Sequence, residues 1–181
     1  ESFDKKYDVV NVSVFRAEKN IDLFLECASE FKNYSFLLIG DGPMKSHYKN
    51  MAKKMELKNV AFVGSKSPSE VSILLRSSRI FLLTSFNEGT PTALMEAMVN
   101  GLPIITTPSN DFKQLIVDGV NGYVTNDFKQ SSVMKKLEKL LADNTLIYEI
   151  AVNNKIKSKN FGWKYVATRI THICKSEING H

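Results

Sequence analysis

The sequence predicts an α/β fold, with a doubly wound parallel sheet of about six strands and helices on both faces. Short runs of β-branched and aromatic residues alternate with longer segments of helical periodicity between residues 9 and 124. Three of the runs, FLLIG, IFLLTS and PIITT, are apolar at successive positions, as expected for strands that are covered on both faces. Such an alternation indicates parallel strands joined by right-handed crossovers.

The predicted elements follow one another with short connections. Apolar runs of strand length predict strands at 9–15, 35–39, 60–63, 80–83, 103–106 and 122–124. Apolar residues at intervals of three and four predict helices at about 21–31, 44–55, 67–77, 91–100 and 112–117. After residue 126 the pattern predicts helices alone, at about 131–143, 146–153 and 163–178, which we expect to pack at the edge of the sheet.

Length and composition are those of one ordinary α/β domain. The 181 residues suffice for a single core, and 43% hydrophobic with 24% charged residues is a typical globular balance. No apolar run approaches the roughly 20 residues of a membrane-spanning helix. A net charge of +5 suits nucleic acid, an anionic membrane or phosphate-bearing small molecules. The lysines are spread along the predicted helices, which favours a solvated surface and predicts no nucleic-acid partner.

The sequence predicts no metal site and no cofactor. Cys27 and Cys174 lie far apart without a CxxC spacing, and His47, His172 and His181 are scattered. No Asp-x-Asp pair is present to hold a divalent cation. We expect buried thiols in a reducing cytoplasm. The amino terminus, ESFDKK, has no Met and no signal-peptide order, which favours a fragment taken from between two domains of a longer protein.

The segment 84–107, TSFNEGTPTALMEAMVNGLPIITT, predicts an anion-binding helix terminus. Thr90 suits the N-cap, Pro91 suits the first helical position, and Gly101 suits the left-handed stop. The helix follows the carboxyl end of a strand, so its first amides point toward a ligand at a dipole-positive terminus. Gly89 permits a close approach of ligand and backbone. The amides predicted to bind are those of Thr92, Ala93 and Leu94.

Two carboxylates frame that terminus. Seven residues separate Glu88 from Glu96, and Glu96 lies four positions after Thr92, hence on the same helix face. Both side chains can therefore reach one ligand across the end of the helix. On helix propensity alone, two solvated surface carboxylates would explain the pair equally well.

The segment EGTPTALMEAMVNGLPIITT closely resembles the signature of glycosyltransferase family 4, the group 1 glycosyl transferases, which are retaining enzymes of the GT-B class. Three other segments are similar to the family in the expected order: VSVFRAEKNIDLFLECA, FLLIGDGP and NVAFVGSKSPSEV. The similarity spans residues 9–124, with a weaker echo at 161–163. It implies the Rossmann-like, donor-binding carboxyl-terminal domain of the GT-B fold, formed by residues 1–160. The last helix, within 161–181, would cross toward an amino-terminal domain outside this chain.

The resemblance also implies residue roles. Glu88 would contact a hydroxyl of the donor sugar, and Glu96 the ribose hydroxyls. Lys19 and Arg16 resemble the basic residues that neutralise the diphosphate leaving group, without a metal. The family places an Arg five residues before the Lys, where this chain has Val14, so either Arg16 replaces it or Lys19 acts mainly alone. The backbone that would hold sugar hydroxyls and the diphosphate is that of Gly89, Thr90, Pro91, Thr92, Ala93 and Leu94.

Two glycine-containing loops complete the predicted donor site. Gly40 and Gly42 form a tight turn that either lies near the donor or is purely structural. A dinucleotide fingerprint is excluded, because Lys45 stands where the third glycine would be and the stretch follows the second strand. Gly64 and Ser65 resemble the loop that reads the edge of the base.

The resemblance implies a retaining transfer of a sugar from a nucleotide sugar, with a UDP-sugar expected, to a glycan or lipid-linked acceptor in polysaccharide biosynthesis. The acceptor would bind the missing amino-terminal domain, and this fragment alone would be inactive. The setting would be the cytoplasm, with peripheral contact at the inner face of the membrane. Two alternatives remain: a non-catalytic nucleotide-sugar-binding module, and a phosphorylase or epimerase of the same architecture.

Overall fold

A six-stranded, entirely parallel sheet forms the centre of the molecule, with strand order β3-β2-β1-β4-β5-β6. The computed structural model describes residues 5–87, 92–109 and 115–159. The strands are β1 Tyr7–Val12, β2 Phe36–Ile39, β3 Val60–Phe62, β4 Ser78–Leu83, β5 Ile104–Thr106 and β6 Gly122–Val124. The α-helices of the described part are α1 Ile21–Glu30, α2 Lys45–Lys54, α3 Pro68–Arg76, α4 Thr92–Val99, α5 Gln130–Ala142 and α6 Asn144–Ser158. The Rossmann-like α/β prediction is confirmed.

Two hydrophobic cores lie on opposite faces of the sheet. Because successive strand residues point to opposite faces, Phe36 and Leu38 of β2 join one core while Leu37 and Ile39 join the other. The first core packs against α1, α2, α5 and α6, and the second packs against α3 and α4. This two-sided burial is the physical reason for the apolar runs in the strand sequences.

Side chains cap the first turns of α3 and α6. At α3, Ser67 and Glu70 form a reciprocal capping box, with the Ser67 amide 2.9 Å from the Glu70 carboxylate. At α6, the Asp143 carboxylate accepts from the Leu146 amide at 3.0 Å. Cys27 is buried in α1, as the sequence predicted, and burial raises the pKa of its thiol to about 12. No helix in the described ranges has the length and apolar content to cross a membrane.

The predicted strand 9–15 is wrong at its carboxyl end. β1 stops at Val12, although the Ser13 amide donates to the Ile39 carbonyl at 3.1 Å and the Phe15 amide donates to the Asp41 carbonyl at 2.9 Å. Residues 13–15 thus run beside the end of β2 as irregular backbone, and the chain then turns where the Arg16 amide donates to the Val14 carbonyl at 2.9 Å. Hydrophobic periodicity does not predict hydrogen bonds such as those to Ile39 and Asp41, because their partners are distant in the sequence.

Two predicted helices also need comment. Of the predicted helix 112–117, residues 110–114 lie outside the described part, and 115–117 are not helical. There the Asn121 side chain accepts from the Val117 amide at 2.7 Å and donates to the Leu115 carbonyl at 2.9 Å, which holds a loop. The helix predicted at 146–153 is longer in the structure, Asn144–Ser158. Its apolar residues lie on two sides, so the helical periodicity in the sequence is weak and the prediction was too short. The predicted helix 163–178 lies outside the described residues.

Candidate functional site

A cleft of about 350 Å³ opens at the carboxyl edge of the sheet, beside the ends of β1 and β4. The strand order reverses between these two strands, and in doubly wound sheets such a crevice is where ligands bind. Val12 and Leu83, the last residues of the two strands, lie in its wall. The cleft brings together many residues that the sequence predicted for the site: Lys19, Gly40, Ser65, Thr92, Ala93, Leu94 and Glu96.

Other predicted residues do not line this cleft. The Arg16 side chain is mostly exposed, 4.0 Å from the Glu18 carboxylate, while its carbonyl accepts from the Tyr48 hydroxyl at 3.0 Å. The Gly64 carbonyl accepts from the Gly40 amide at 2.9 Å. Gly42 lies against the backbone of Phe15, so its contact is structural. The remaining predicted residues, Glu88, Gly89, Thr90 and Pro91, lie outside the described part of the chain.

Lys19 ends a short 3-10 helix, Ala17–Lys19, that is tied to the end of β4. The Thr84 hydroxyl donates to the Lys19 carbonyl at 3.0 Å, and the Phe86 amide donates to the Glu18 carbonyl at 2.8 Å. Asn20 then adopts a left-handed conformation, with φ 47°, from which α1 begins. The position of the Lys19 backbone is therefore set by residues 65 or more positions further along the sequence.

Gly40 permits the close crossing of the β1 and β2 ends. Its φ is +141°, and a Cβ at this position would lie 1.9 Å from the Ser13 carbonyl oxygen. The Met44 amide donates to the Phe15 carbonyl at 2.9 Å, which fastens the same crossing to the start of α2. The turn therefore has a structural role and also forms part of the cleft wall.

The start of α4 supplies the opposite wall. The first N–H groups of a helix have no partner within it, and they lie at its dipole-positive end. Thr92, Leu94 and Glu96 all line the cleft, so the first turn of α4 and one residue with a carboxylate border the same space. Nearby protein atoms remove water from the carboxyl of Glu96, which raises its pKa. This arrangement can hold an anion at the helix terminus and accept hydrogen bonds from hydroxyl groups at Glu96.

Sequence reasoning missed two charged residues of the cleft wall, Asp41 and Lys66. Asp41 accepts hydrogen bonds from the Lys45 ammonium and from the Gly42 amide, and both lower the pKa of its carboxyl. The Lys66 ammonium lies 3.5 Å from the Glu70 carboxylate. A signal for Lys66 was its place directly after Ser65. Nothing in the local sequence marks Asp41, since Asp is ordinary in a glycine turn. Within the described ranges no three His, Cys, Asp or Glu side chains cluster as metal ligands would.

Comparison with known proteins adds independent findings. Residues 1–159 match the family model described as Glycosyl transferases group 1. An α-1,4-N-acetyl-D-galactosaminyltransferase of Campylobacter jejuni, named for a PP-undecaprenol-linked substrate, is 29% identical over 88% of this chain and 46% of its own length. The chain spans less than half of the length of such curated relatives, 43% in a glycosyltransferase of Methanocaldococcus jannaschii.

Solved structures share the fold. HepE of Anabaena, solved with UDP and glucose, matches with a TM-score of 0.83 at 19% identity, over 96% of this chain and 49% of that one. The carboxyl-terminal domain of a group 1 glycosyl transferase (LpcC) from Francisella tularensis matches with a TM-score of 0.75 at 24% identity, over 84% of this chain and 85% of that one. The family match covers most of the chain, and the fold agrees with it. The chain belongs to the group 1 glycosyl transferases.

Proposed function

We propose that this chain binds the nucleotide-sugar donor of a retaining, metal-independent hexosyltransferase. The observation that carries the proposal is the cleft at the carboxyl edge of the sheet, where Lys19, the first turn of α4 and Glu96 line one space. A cation and a helix terminus suit a diphosphate, and a carboxylate suits the hydroxyls of a ribose.

The same groups suit the chemistry of sugar transfer. When a nucleoside diphosphate leaves the sugar, negative charge builds on its terminal phosphate. Lys19 and the α4 amides, already positioned before the reaction, stabilise that charge without a metal ion. We assign Lys66 a supporting role at the same rim, and Arg16 only if its exposed side chain turns inward when donor binds. We propose that Glu88 positions the donor sugar and forms no covalent intermediate with it. Retention of the anomeric configuration then follows from attack by the acceptor on the face from which the diphosphate leaves.

Donor and acceptor are proposed from the relatives. HepE, which shares the fold, was solved with UDP, which favours a UDP-sugar over other donors. The Campylobacter enzyme is named for a saccharide linked to PP-undecaprenol, which favours a glycan or lipid-linked acceptor in polysaccharide assembly. We propose that the acceptor binds a part of the protein outside this chain; the chain spans less than half of the length of its relatives, which supports this proposal. Residues 1–160 then form the donor domain, 161–181 cross toward the other half, and the whole works in the cytoplasm.

Isothermal titration with UDP, GDP and ADP, each alone and as a sugar conjugate, tests the donor proposal. We expect heat with at least one nucleoside diphosphate, strongest with UDP, unchanged by a chelator, and none with the free nucleoside at the same concentration. Absence of binding by every nucleotide at millimolar concentration would overturn the proposal. Retention is tested in the complete enzyme, by the anomeric configuration of the product at first formation.

A further inference from the structure

Tyr48 is a tyrosine of α2 whose side chain is fully buried beside the segment that carries Lys19 to the donor cleft. Its ring packs edge to face against that of Phe15, with 5.9 Å between the ring centroids. Its hydroxyl donates to the Arg16 carbonyl at 3.0 Å, although the two residues are 32 positions apart in the sequence. Burial raises the pKa of Tyr48 to about 12, so the hydroxyl remains a hydrogen-bond donor at neutral pH.

The Arg16 carbonyl accepts a second hydrogen bond, from the amide of Lys19 at 3.1 Å. This bond closes the 3-10 helix Ala17–Lys19, so the Tyr48 hydroxyl and the Lys19 amide donate to the same oxygen atom. A 3-10 helix of three residues has poor hydrogen-bond geometry, and the Arg16 side chain does not cap this one. Its position therefore depends on hydrogen bonds from other parts of the chain, of which that of Tyr48 is one.

The charge that this segment brings to the donor cleft belongs to one residue. Ser13, Val14 and Lys19 line the cleft, and Lys19 is the charged one of these three. A displacement of the backbone at position 19 would move the ammonium relative to the first turn of α4 in the opposite wall. Binding of a diphosphate between the two is strongest when both are in place beforehand, since ordering them on binding costs affinity.

We propose that Tyr48 is a positioning residue, which holds the backbone of Lys19 so that its ammonium meets the diphosphate of the donor. Tyr48 is not part of the cleft wall and acts through the Arg16 carbonyl. This role rests on the proposed function, because it requires a diphosphate beside Lys19. Loss of the hydroxyl should weaken diphosphate binding only while the Lys19 ammonium is present.

The test is a double-mutant cycle of Tyr48→Phe and Lys19→Met, followed by titration calorimetry with UDP. Tyr48→Phe keeps the ring that packs against Phe15, so the variant should fold. It should bind UDP about three- to tenfold more weakly than wild type, since one hydrogen bond no longer holds the turn. In the Lys19→Met background the same substitution should have no further effect, because the ammonium that it positions is gone.

Tyr123→Phe is the matched control for the cycle. Tyr123 is 3% exposed, and its buried hydroxyl has no hydrogen-bond partner within the described residues. Removal of this hydroxyl breaks no hydrogen bond of the described part of the chain, so UDP affinity should stay at the wild-type value.

Hydrogen exchange of the Lys19 amide, followed by NMR, tests the same turn without a ligand. In Tyr48→Phe this amide should exchange about threefold or more faster, because its acceptor is held less firmly. The Val63 amide, which donates to the Leu38 carbonyl at 3.1 Å, should exchange at an unchanged rate.

Three results of the titrations would each overturn the positioning role of Tyr48: wild-type affinity in Tyr48→Phe, an equal loss in Tyr123→Phe, or the same loss with and without the Lys19 ammonium. An unchanged exchange rate at Lys19 would overturn it without reference to a ligand. If wild type binds no nucleotide while Tyr48→Phe still speeds exchange at Lys19, the proposed function fails and the support of the turn by Tyr48 stands.

Discussion

The two walls of the donor cleft are built in different ways. The loop wall, which carries Lys19, is irregular backbone held by hydrogen bonds from distant parts of the chain, including those to Thr84 and Phe86. The helix wall, which carries Glu96, is a regular helix that packs Leu94 and Met98 against the second core. The position of the carboxylate therefore follows from local periodicity, and that of the cation from tertiary contacts.

This difference has a consequence for substitutions. The loop wall should be sensitive to changes at residues that touch no ligand, because each hydrogen bond that fixes the loop also fixes Lys19. The helix wall should respond mainly to changes of the residues that face the cleft. The backbone of α4 is held by repeated hydrogen bonds along its eight residues, so no single side chain fixes its position. The following variants separate these two behaviours.

The largest effect is expected from Gly40→Ala, because Gly40 lies where the ends of β1 and β2 come close together beside the loop wall. The new Cβ would meet the Ser13 carbonyl oxygen at 1.9 Å, and φ is +141°, so backbone must move. We expect the free energy of unfolding in urea to fall by about 3 kcal/mol or more. Gly119→Ala is the matched control: its φ is +76° but no atom lies within 4 Å of the added Cβ, so a cost of about 1 kcal/mol is expected. Equal costs would show that the close crossing is not rigid.

Lys19→Met is expected to have the next largest effect, on ligand binding and not on folding. The variant keeps the length of the side chain and removes the charge in the cleft. Affinity for nucleoside diphosphate should fall by about 2 kcal/mol, since hydrogen bonds to charged groups contribute that much. Titration calorimetry measures the change, and Lys58→Met, at an exposed lysine before β3, is the control. A loss of equal size in both variants would place the diphosphate elsewhere.

The contrast between the walls also explains what sequence could predict. The helix wall could be predicted from the sequence, because Gly101 and the apolar periodicity of α4 mark the helix. The spacing of Thr92 and Glu96 places both residues on one face. Two-sided burial likewise made the parallel sheet readable from the strand runs. The family resemblance is confirmed by the family model over residues 1–159.

The loop wall was harder to predict from the sequence. The path of residues 13–15 after the end of β1 depends on hydrogen bonds to Ile39 and Asp41, which no local pattern encodes. Asp41 lines the cleft for the same reason, through the fold and not through a motif. For Arg16 the sequence left two readings open, and the structure places its side chain at the surface beside Glu18, outside the cleft wall. The predicted roles of Glu88 and the other residues of 88–91 stay predictions.

Thr84→Val tests whether a residue without ligand contact supports Lys19. Valine keeps the shape of this fully buried side chain and removes the hydroxyl that donates to the Lys19 carbonyl. We expect a loss of about 1 to 2 kcal/mol in unfolding free energy, with a further fall of about threefold in nucleotide affinity. Ser78→Ala is the control, because Ser78 is also buried and its hydroxyl donates to the Leu74 carbonyl at 2.8 Å, at the opposite end of β4 from Thr84. The control should lose similar stability and keep its affinity, and a loss of affinity in both would contradict the specific support.

The smallest effect on stability is expected from Glu96→Gln in the helix wall, and its sign depends on pH. Burial raises the pKa of Glu96 in the folded chain above that of the unfolded chain, so the folded state is disfavoured as pH rises through the unfolded value and fully so above the folded value. The variant should therefore be more stable than wild type at pH 7 and equal to it below the ordinary pKa of a glutamate. Thermal unfolding at a series of pH values measures this difference, with Glu149→Gln on the exposed side of α6 as control. Nucleotide affinity should fall in the same variant, because an amide offers the ribose one acceptor oxygen where the carboxylate offers two. A variant that gains stability at neutral pH while losing affinity would show that Glu96 is retained for the ligand, whereas unchanged affinity would assign it to the surface of α4.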